Sequence, residues 1–207
     1  MKRRINIINK LAKIKKMNIA VLVSGSGSNL QAIINAIENG YFEGKLTIKA
    51  VIADRDCYAI ERALDAEIDT WMVDRGPALS KEIDNICSDN DIDLIVLAGF
   101  LSILDAEFCQ KWDKQIINLH PSLLPKYGGM GMYGEKVHTA VLANEEKHSG
   151  ATVHYVTAGV DEGEIITQES FEVPEDADLL WLKNKISEIE KPLLLSALKK
   201  IALGNKA

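Results

Sequence analysis

Two short stretches carry side chains that could do chemistry together. In "IINLHPSLLP" (116–125), Asn118 and His120 stand two residues apart at the end of an apolar run, so an extended backbone points both the same way. An amide NH₂ beside an imidazolium can donate twice to one developing oxyanion, the need that arises when a nucleophile attacks a carbonyl. Losing one such donor typically costs about 2.7–4 kcal/mol of transition-state stabilisation. Pro121 and Pro125 remove backbone donors, which ends the strand just after the histidine. A histidine among apolar residues is otherwise a satisfied structural residue, so a charged partner is needed. The turn "GVDEGE" (159–164) offers Asp161, Glu162 and Glu164. Asp161 is the choice among them, although an aspartate before Gly163 serves equally well to bond its own turn. An acid within about 4–6 Å would raise the pKa of His120 by favouring imidazolium.

A third stretch could hold an anion. "SGSGSN" (24–29) joins an apolar run to a helical pattern, where glycines let a ligand approach the backbone and the helix start favours negative charge. Phosphate is the natural guest. The loop also approximates the dinucleotide pattern G-x-G-x-x-G, with Asp54 placed to imitate its ribose-binding acid, but Leu30 stands where the third glycine belongs. Other candidates are weaker. Ser122 lies too close to His120 for a nucleophile and base pair, no G-x-S-x-G elbow occurs, and His138, His148 and His154 lack metal-ligand spacing. His154, inside "ATVHYV", reads as a structural hydrogen-bonding residue.

The elements that must position these residues follow from hydrophobic periodicity. Strands are expected at 18–25, 45–54, 69–74, 92–100 and 115–120, alternating with helices at 29–40, 58–67, 80–90 and 105–112. That order predicts an α/β fold: a doubly wound, mostly parallel sheet with a Rossmann-like N-terminal half and ligands beyond the carboxyl ends of the strands. After a glycine-rich, mobile loop at 128–136 and a short helix at 137–144, the alternation across 150–173 predicts two antiparallel strands, an antiparallel extension of the sheet. A last helix over 176–204 has Asp176 or Asp178 as N-cap and is kinked or split by Pro192.

Composition narrows the class. The 207 residues are 47% hydrophobic and 26% charged, enough for a sizeable core, and one domain over 17–207 is expected because no linker shows. The net charge of -6 argues against a broad nucleic-acid surface. Cys57, Cys87 and Cys109 are scattered, with no disulfide framework or zinc pattern, and no apolar run spans a bilayer, so a cytoplasmic location without a membrane partner is expected. The basic segment 1–16 precedes the first strand as an N-terminal extension outside the fold.

The motifs "MNIAVLVSGSGSNLQAII", "IDLIVLAGF", "NLHPSLLPKY" and "GATVHYVTAGVDEGEIITQ" resemble those of the phosphoribosylglycinamide formyltransferases, folate-dependent enzymes of purine biosynthesis, over about residues 17–200. The resemblance implies transfer of a formyl group from N10-formyltetrahydrofolate, the co-substrate, to the amine of glycinamide ribonucleotide, without a metal, by a monomer or homodimer. It implies that Asn118, His120 and Asp161 are catalytic, that Asp161 keeps His120 charged, and that Gly27, Ser28 and Asn29 hold the substrate phosphate. Glu190 would contact the nucleotide. The folate would lie against Leu101, Ser102, Ile103 and Leu104, Asn118, and the turn Thr157, Ala158, Gly159, Val160 and Asp161. Ser102 and Lys191 depart from the arginine and histidine of many members, and Arg75 or Lys81 could replace a second folate-contacting arginine. The nearest alternatives are another folate-dependent formyltransferase or deformylase, and a dinucleotide-binding domain.

Overall fold

The computed structural model describes residues 16–204, and the segment assigned to an N-terminal extension, all but its last residue, lies outside them. Seven strands occur among these residues: β1 (Met17–Val23), β2 (Leu46–Ala53), β3 (Thr70–Met72), β4 (Leu94–Leu97), β5 (Ile116–His120), β6 (His148–Tyr155) and β7 (Ile165–Glu172). They form one sheet in the order β3-β2-β1-β4-β5-β6-β7. The pairs from β3 to β5 are parallel, whereas β5–β6 and β6–β7 are antiparallel. Six helices accompany them: α1 (Ser28–Glu38), α2 (Tyr58–Asp65), α3 (Leu79–Asp89), α4 (Ala106–Lys111), α5 (Glu135–Ala143) and α6 (Leu179–Ala202).

The continuous apolar runs have a simple cause. In β1, Ile19, Val21 and Val23 face a core that includes Leu30 and Ile33 of α1, Ala59 of α2 and Leu194 of α6. Ala20 and Leu22 face a second core with Ile83 of α3 and Phe108 of α4. Both faces are dry, so alternation disappears from the sequence. β7 is covered only in part and keeps its polar positions exposed.

Chain order leaves β1 and β4 adjacent, with β2 and β3 to one side and β5 to the other. Such a reversal opens a crevice between the loops leaving the two central strands. Here those loops are tied together, since Leu101 N–H donates to Ser24 Oγ at 2.9 Å.

At the C-terminus the structure decides between the alternatives left open. Asp178, not Asp176, caps α6 by accepting from Trp181 N–H at 2.7 Å. The helix runs unbroken from Leu179 to Ala202, so Pro192 does not split it. Apolar side chains on both sides of the proline, Ile186 and Ile189 before it and Leu193, Leu194 and Ala197 after it, are buried and hold the two halves against the body of the protein. Among the described residues no helix is long and apolar enough to cross a membrane.

Candidate active site

A cleft of about 590 Å³ opens at the carboxyl end of the sheet. It is within the size range of small-molecule sites, typically about 300–1,000 Å³. Its walls include Leu101 to Leu104 after β4, Asn118 and His120 of β5, the turn Thr157 to Asp161 after β6, and Asn29 and Glu190 at the start of α1 and in α6. Gly27 and Ser28 are not among its lining residues. They sit behind Asn29 at the loop and helix start, with Gly27 at φ 72° as the N-cap of α1. No side chain caps that helix and its first turn holds no acid, so its leading N–H groups and dipole are free to meet an anion.

At the other end of the cleft, β5 brings Asn118 and His120 to one face as their spacing predicts, and β6 contributes a third side chain. The antiparallel register pairs Asn118 with His154. His154 Nδ1–H donates to the Tyr155 carbonyl at 2.9 Å, which leaves Nε2 to accept from Asn118 Nδ2 at 3.2 Å. The second hydrogen of that amide points to Asp161 Oδ1 at 3.4 Å. Sequence reading gave His154 a structural hydrogen bond, which it makes, but missed its place beside Asn118. Only the strand register, a non-local fact, reveals it.

Asp161 sits at φ 59°, a left-handed conformation that aspartate tolerates better than most residues. It does not bond its own turn. Its Oδ2 accepts from Gly129 N–H at 3.0 Å and lies 3.5 Å from His120 Nδ1, while Oδ1 lies 3.6 Å from His154 Nε2. Burial alone would raise its pKa, but the charge that His154 and His120 carry when protonated, with the Gly129 amide, outweighs that and holds it below the ordinary carboxylate value.

His120 is 4% exposed, and its Nε2–H donates to the Tyr127 carbonyl at 2.8 Å. That bond fixes the tautomer, so in the neutral ring the lone pair is on Nδ1, facing Asp161. Asp161 does favour the charged ring, as expected of a nearby acid, but it is not the largest influence. Burial lowers the pKa of His120 by more than Asp161 and the Tyr127 carbonyl raise it. Burial thus favours the neutral imidazole, while the acid beside it stabilises the ring's proton once one is bound.

The turn after His120 is clipped to the antiparallel strands. Thr152 Oγ1 donates to the Ser122 carbonyl at 2.7 Å and accepts from Leu124 N–H and Gln168 Nε2 at 3.2 and 2.8 Å. Ser122 is fully buried, and its hydroxyl donates to the Lys126 carbonyl at 2.6 Å. It braces the turn, in line with its rejection as a nucleophile.

Asp54 does not await a ribose. Its buried carboxylate accepts from Arg55 Nε and Nη2 at 2.9 and 2.7 Å and from Ser102 Oγ at 2.6 Å. Burial is overcome by these bonds, and its pKa falls to about 2. Ser102 therefore lines the cleft but turns its hydroxyl to Asp54, so no hydroxyl contact to a folate follows from its position. Arg75 Nε donates to the Asp54 carbonyl at 3.2 Å and belongs to the same network.

Glu190 behaves differently. Burial raises its pKa to about 7, against the opposing effects of Asn29 and Lys191. Beside it, Asn29 Oδ1 is buried with no hydrogen-bond partner among the described residues. A half-buried carboxyl next to an orphaned acceptor suits a ligand rich in hydroxyl or amine donors. The glycine-rich loop expected at 128–136 carries no site residue in the sequence reading, yet Gly129 to Gly134 line the cleft with Met132 and Tyr133, and Gly129 gives Asp161 a backbone donor.

The model of the formyl transferase family matches residues 17–198. The chain belongs to the formyl transferase family. Similar members include the phosphoribosylglycinamide formyltransferase of Escherichia coli (strain K12), 39% identical over 158 residues that cover 73% of this chain and 71% of that protein. The human trifunctional purine biosynthetic protein adenosine-3 is 33% identical over 196 residues, 92% of this chain, and this formyl transferase chain spans only 19% of that protein's length. Among solved structures, glycinamide ribonucleotide transformylase 1 from Symbiobacterium toebii superposes with a TM-score of 0.85 at 33% identity, covering 93% of this chain and 90% of that one. The mixed sheet with its antiparallel extension is thus the formyltransferase fold.

Proposed function

We propose that the protein transfers the formyl group of N10-formyltetrahydrofolate to the primary amine of glycinamide ribonucleotide, a step of purine biosynthesis. The observation that carries this reading is one cleft lined both by Asn118, His120 and Asp161 and by Asn29, the residue through which an uncapped, glycine-led helix start reaches it. The names of the similar proteins point the same way.

In this reading the phosphate binds at the loop of Gly27, Ser28 and Asn29, and Glu190 with Asn29 Oδ1 meets the donors of the sugar. The folate lies along Leu101, Ser102, Ile103 and Leu104 and against the turn of Thr157, Ala158, Gly159, Val160 and Asp161. The substrate amine attacks the formyl carbon, a new C–N bond forms, and negative charge moves to the formyl oxygen. Asn118 stabilises that oxyanion by giving up its 3.4 Å contact to Asp161, the longer of its two bonds. The proton leaving the amine goes to Nδ1 of neutral His120, where Asp161 stabilises the imidazolium, then passes to the folate nitrogen as its bond to the formyl carbon breaks. His120 begins as a base and becomes charged as the oxyanion forms, which places imidazolium beside the oxyanion when it is needed.

The test is to mix the protein with N10-formyltetrahydrofolate and follow the deformylated folate with and without glycinamide ribonucleotide. Release that requires the ribonucleotide and saturates with it is expected. Release at the same rate without it would overturn the reading in favour of hydrolysis.

A further inference from the structure

The loop of residues 24–29 is gripped from α2. Gly25 C=O accepts from Ala59 N–H at 3.1 Å, and Ser26 C=O accepts from Arg62 Nε at 2.8 Å. A trans peptide points its carbonyl and its following N–H in opposite directions. Turning two successive carbonyls toward α2 therefore turns the N–H groups of Ser26 and Gly27 away from it, as an anion-binding nest requires. Gly27 packs so closely on α2 that a Cβ there would lie 2.7 Å from Ala59 Cβ and 3.2 Å from Arg62 Cδ. Arg62 also donates through Nη1 to Gln31 Oε1 in the first turn of α1 at 3.0 Å, and its guanidinium lies 4.8 Å from the Tyr58 ring centre. Among the described residues no carboxylate lies within 4.0 Å of it to neutralise its charge.

We propose that Arg62 is a positioning residue for the substrate's phosphate: it spans the loop from Ser26 to Gln31, fixes the direction of the loop amides, and adds a positive charge that no acid among the described residues quenches. This rests on the reading of the glycine loop as the phosphate site of glycinamide ribonucleotide.

The test compares wild type with Arg62→Met, which keeps the stem and loses the donors and charge, and with Arg62→Lys, which keeps the charge alone. In the formyl-transfer assay Arg62→Met is expected to raise KM for glycinamide ribonucleotide roughly tenfold or more, with kcat within about threefold and the formylfolate KM unchanged. Arg62→Lys falls between the two. With the phosphate-free glycinamide ribonucleoside, wild type and Arg62→Met should have equal kcat/KM. An unchanged KM, or an equal loss with the phosphate-free substrate, overturns the proposal. Calorimetry with ribose 5-phosphate separates it from the wider reading. Weaker ribose 5-phosphate binding by Arg62→Met supports Arg62 even if wild type forms no formylated product, an outcome that would sink only the transformylase assignment. Unchanged ribose 5-phosphate binding beside intact formyl transfer sinks Arg62 alone.

Discussion

The two ends of the cleft are built on opposite terms. At the glycine loop, contacts are short and mostly to backbone: 2.8 Å from Arg62 to Ser26, 2.9 Å from Leu101 to Ser24, and a glycine pressed against Ala59. At the histidine end, four titratable or amide side chains face one another at 3.2, 3.4, 3.5 and 3.6 Å. The first end is fixed by packing and suits recognition of an unchanging group such as phosphate. The second is held loosely enough for hydrogens to change partners, which is what a developing oxyanion and a moving proton demand.

Substitutions should separate the ends. The largest effect is expected from His120→Ala, a fall in kcat of about 10³–10⁴-fold, because base, acid and nearby positive charge are lost together. Thermal unfolding should stay near wild type, and near-normal turnover would remove the central assignment. Asn118→Ala follows, with a loss of about 10²–10³-fold in kcat and little change in the KM for ribonucleotide. A large KM change there would mean that the two ends are not separable.

Gly128→Ala probes the support of the loose end. A Cβ at Gly128 would lie 2.5 Å from Leu124 Cδ2 and 3.1 Å from Asp161 Cβ, so Asp161 must shift. We expect about a tenfold loss in kcat, since small displacements of a catalytic group are costly. Wild-type kcat would show that Asp161 need not hold its place.

The smallest effect concerns stability. The folded protein raises Glu190 from an ordinary 4.5 to about 7, so its fold favours the neutral acid. That contribution is fully present below 4.5 and is lost as pH rises through about 7, at most about 3 kcal/mol. Glu190→Gln should therefore melt up to about 6–12 °C above wild type at pH 8, with a much smaller difference at pH 5, while weakening the ribonucleotide. Equal melting at both pH values would show that burial does not press on this carboxyl.

How far the sequence reveals the molecule also differs between the two regions. The run Ile19 to Val23 announces a strand because both its faces are dry, and the glycine loop announces itself through residue types that only a tight turn needs. Asn118 and His120 are legible as a pair because a strand has period two. Asp161 could be chosen, but not distinguished from a turn residue, because its bonds to Gly129 and Asn118 join distant segments. His154 was legible as a hydrogen-bonding residue and illegible as a neighbour of Asn118. The acid that favours a charged His120 can be seen in the sequence, whereas the burial that outweighs it cannot. Likewise Asp54 reads as available for a ribose because Ser102, which shares its carboxylate with the adjacent Arg55, folds in from 48 residues away.

Proton transfer from the amine to the folate by this route needs a neutral His120 whose proton, once taken up, is stabilised by Asp161. The most direct measurement is an NMR pH titration of the His120 ring in wild type and in Asp161→Asn. A wild-type midpoint below 6.5 that moves lower still in the variant is predicted. A midpoint above 6.5, or one that does not move when Asp161 loses its charge, would contradict the account.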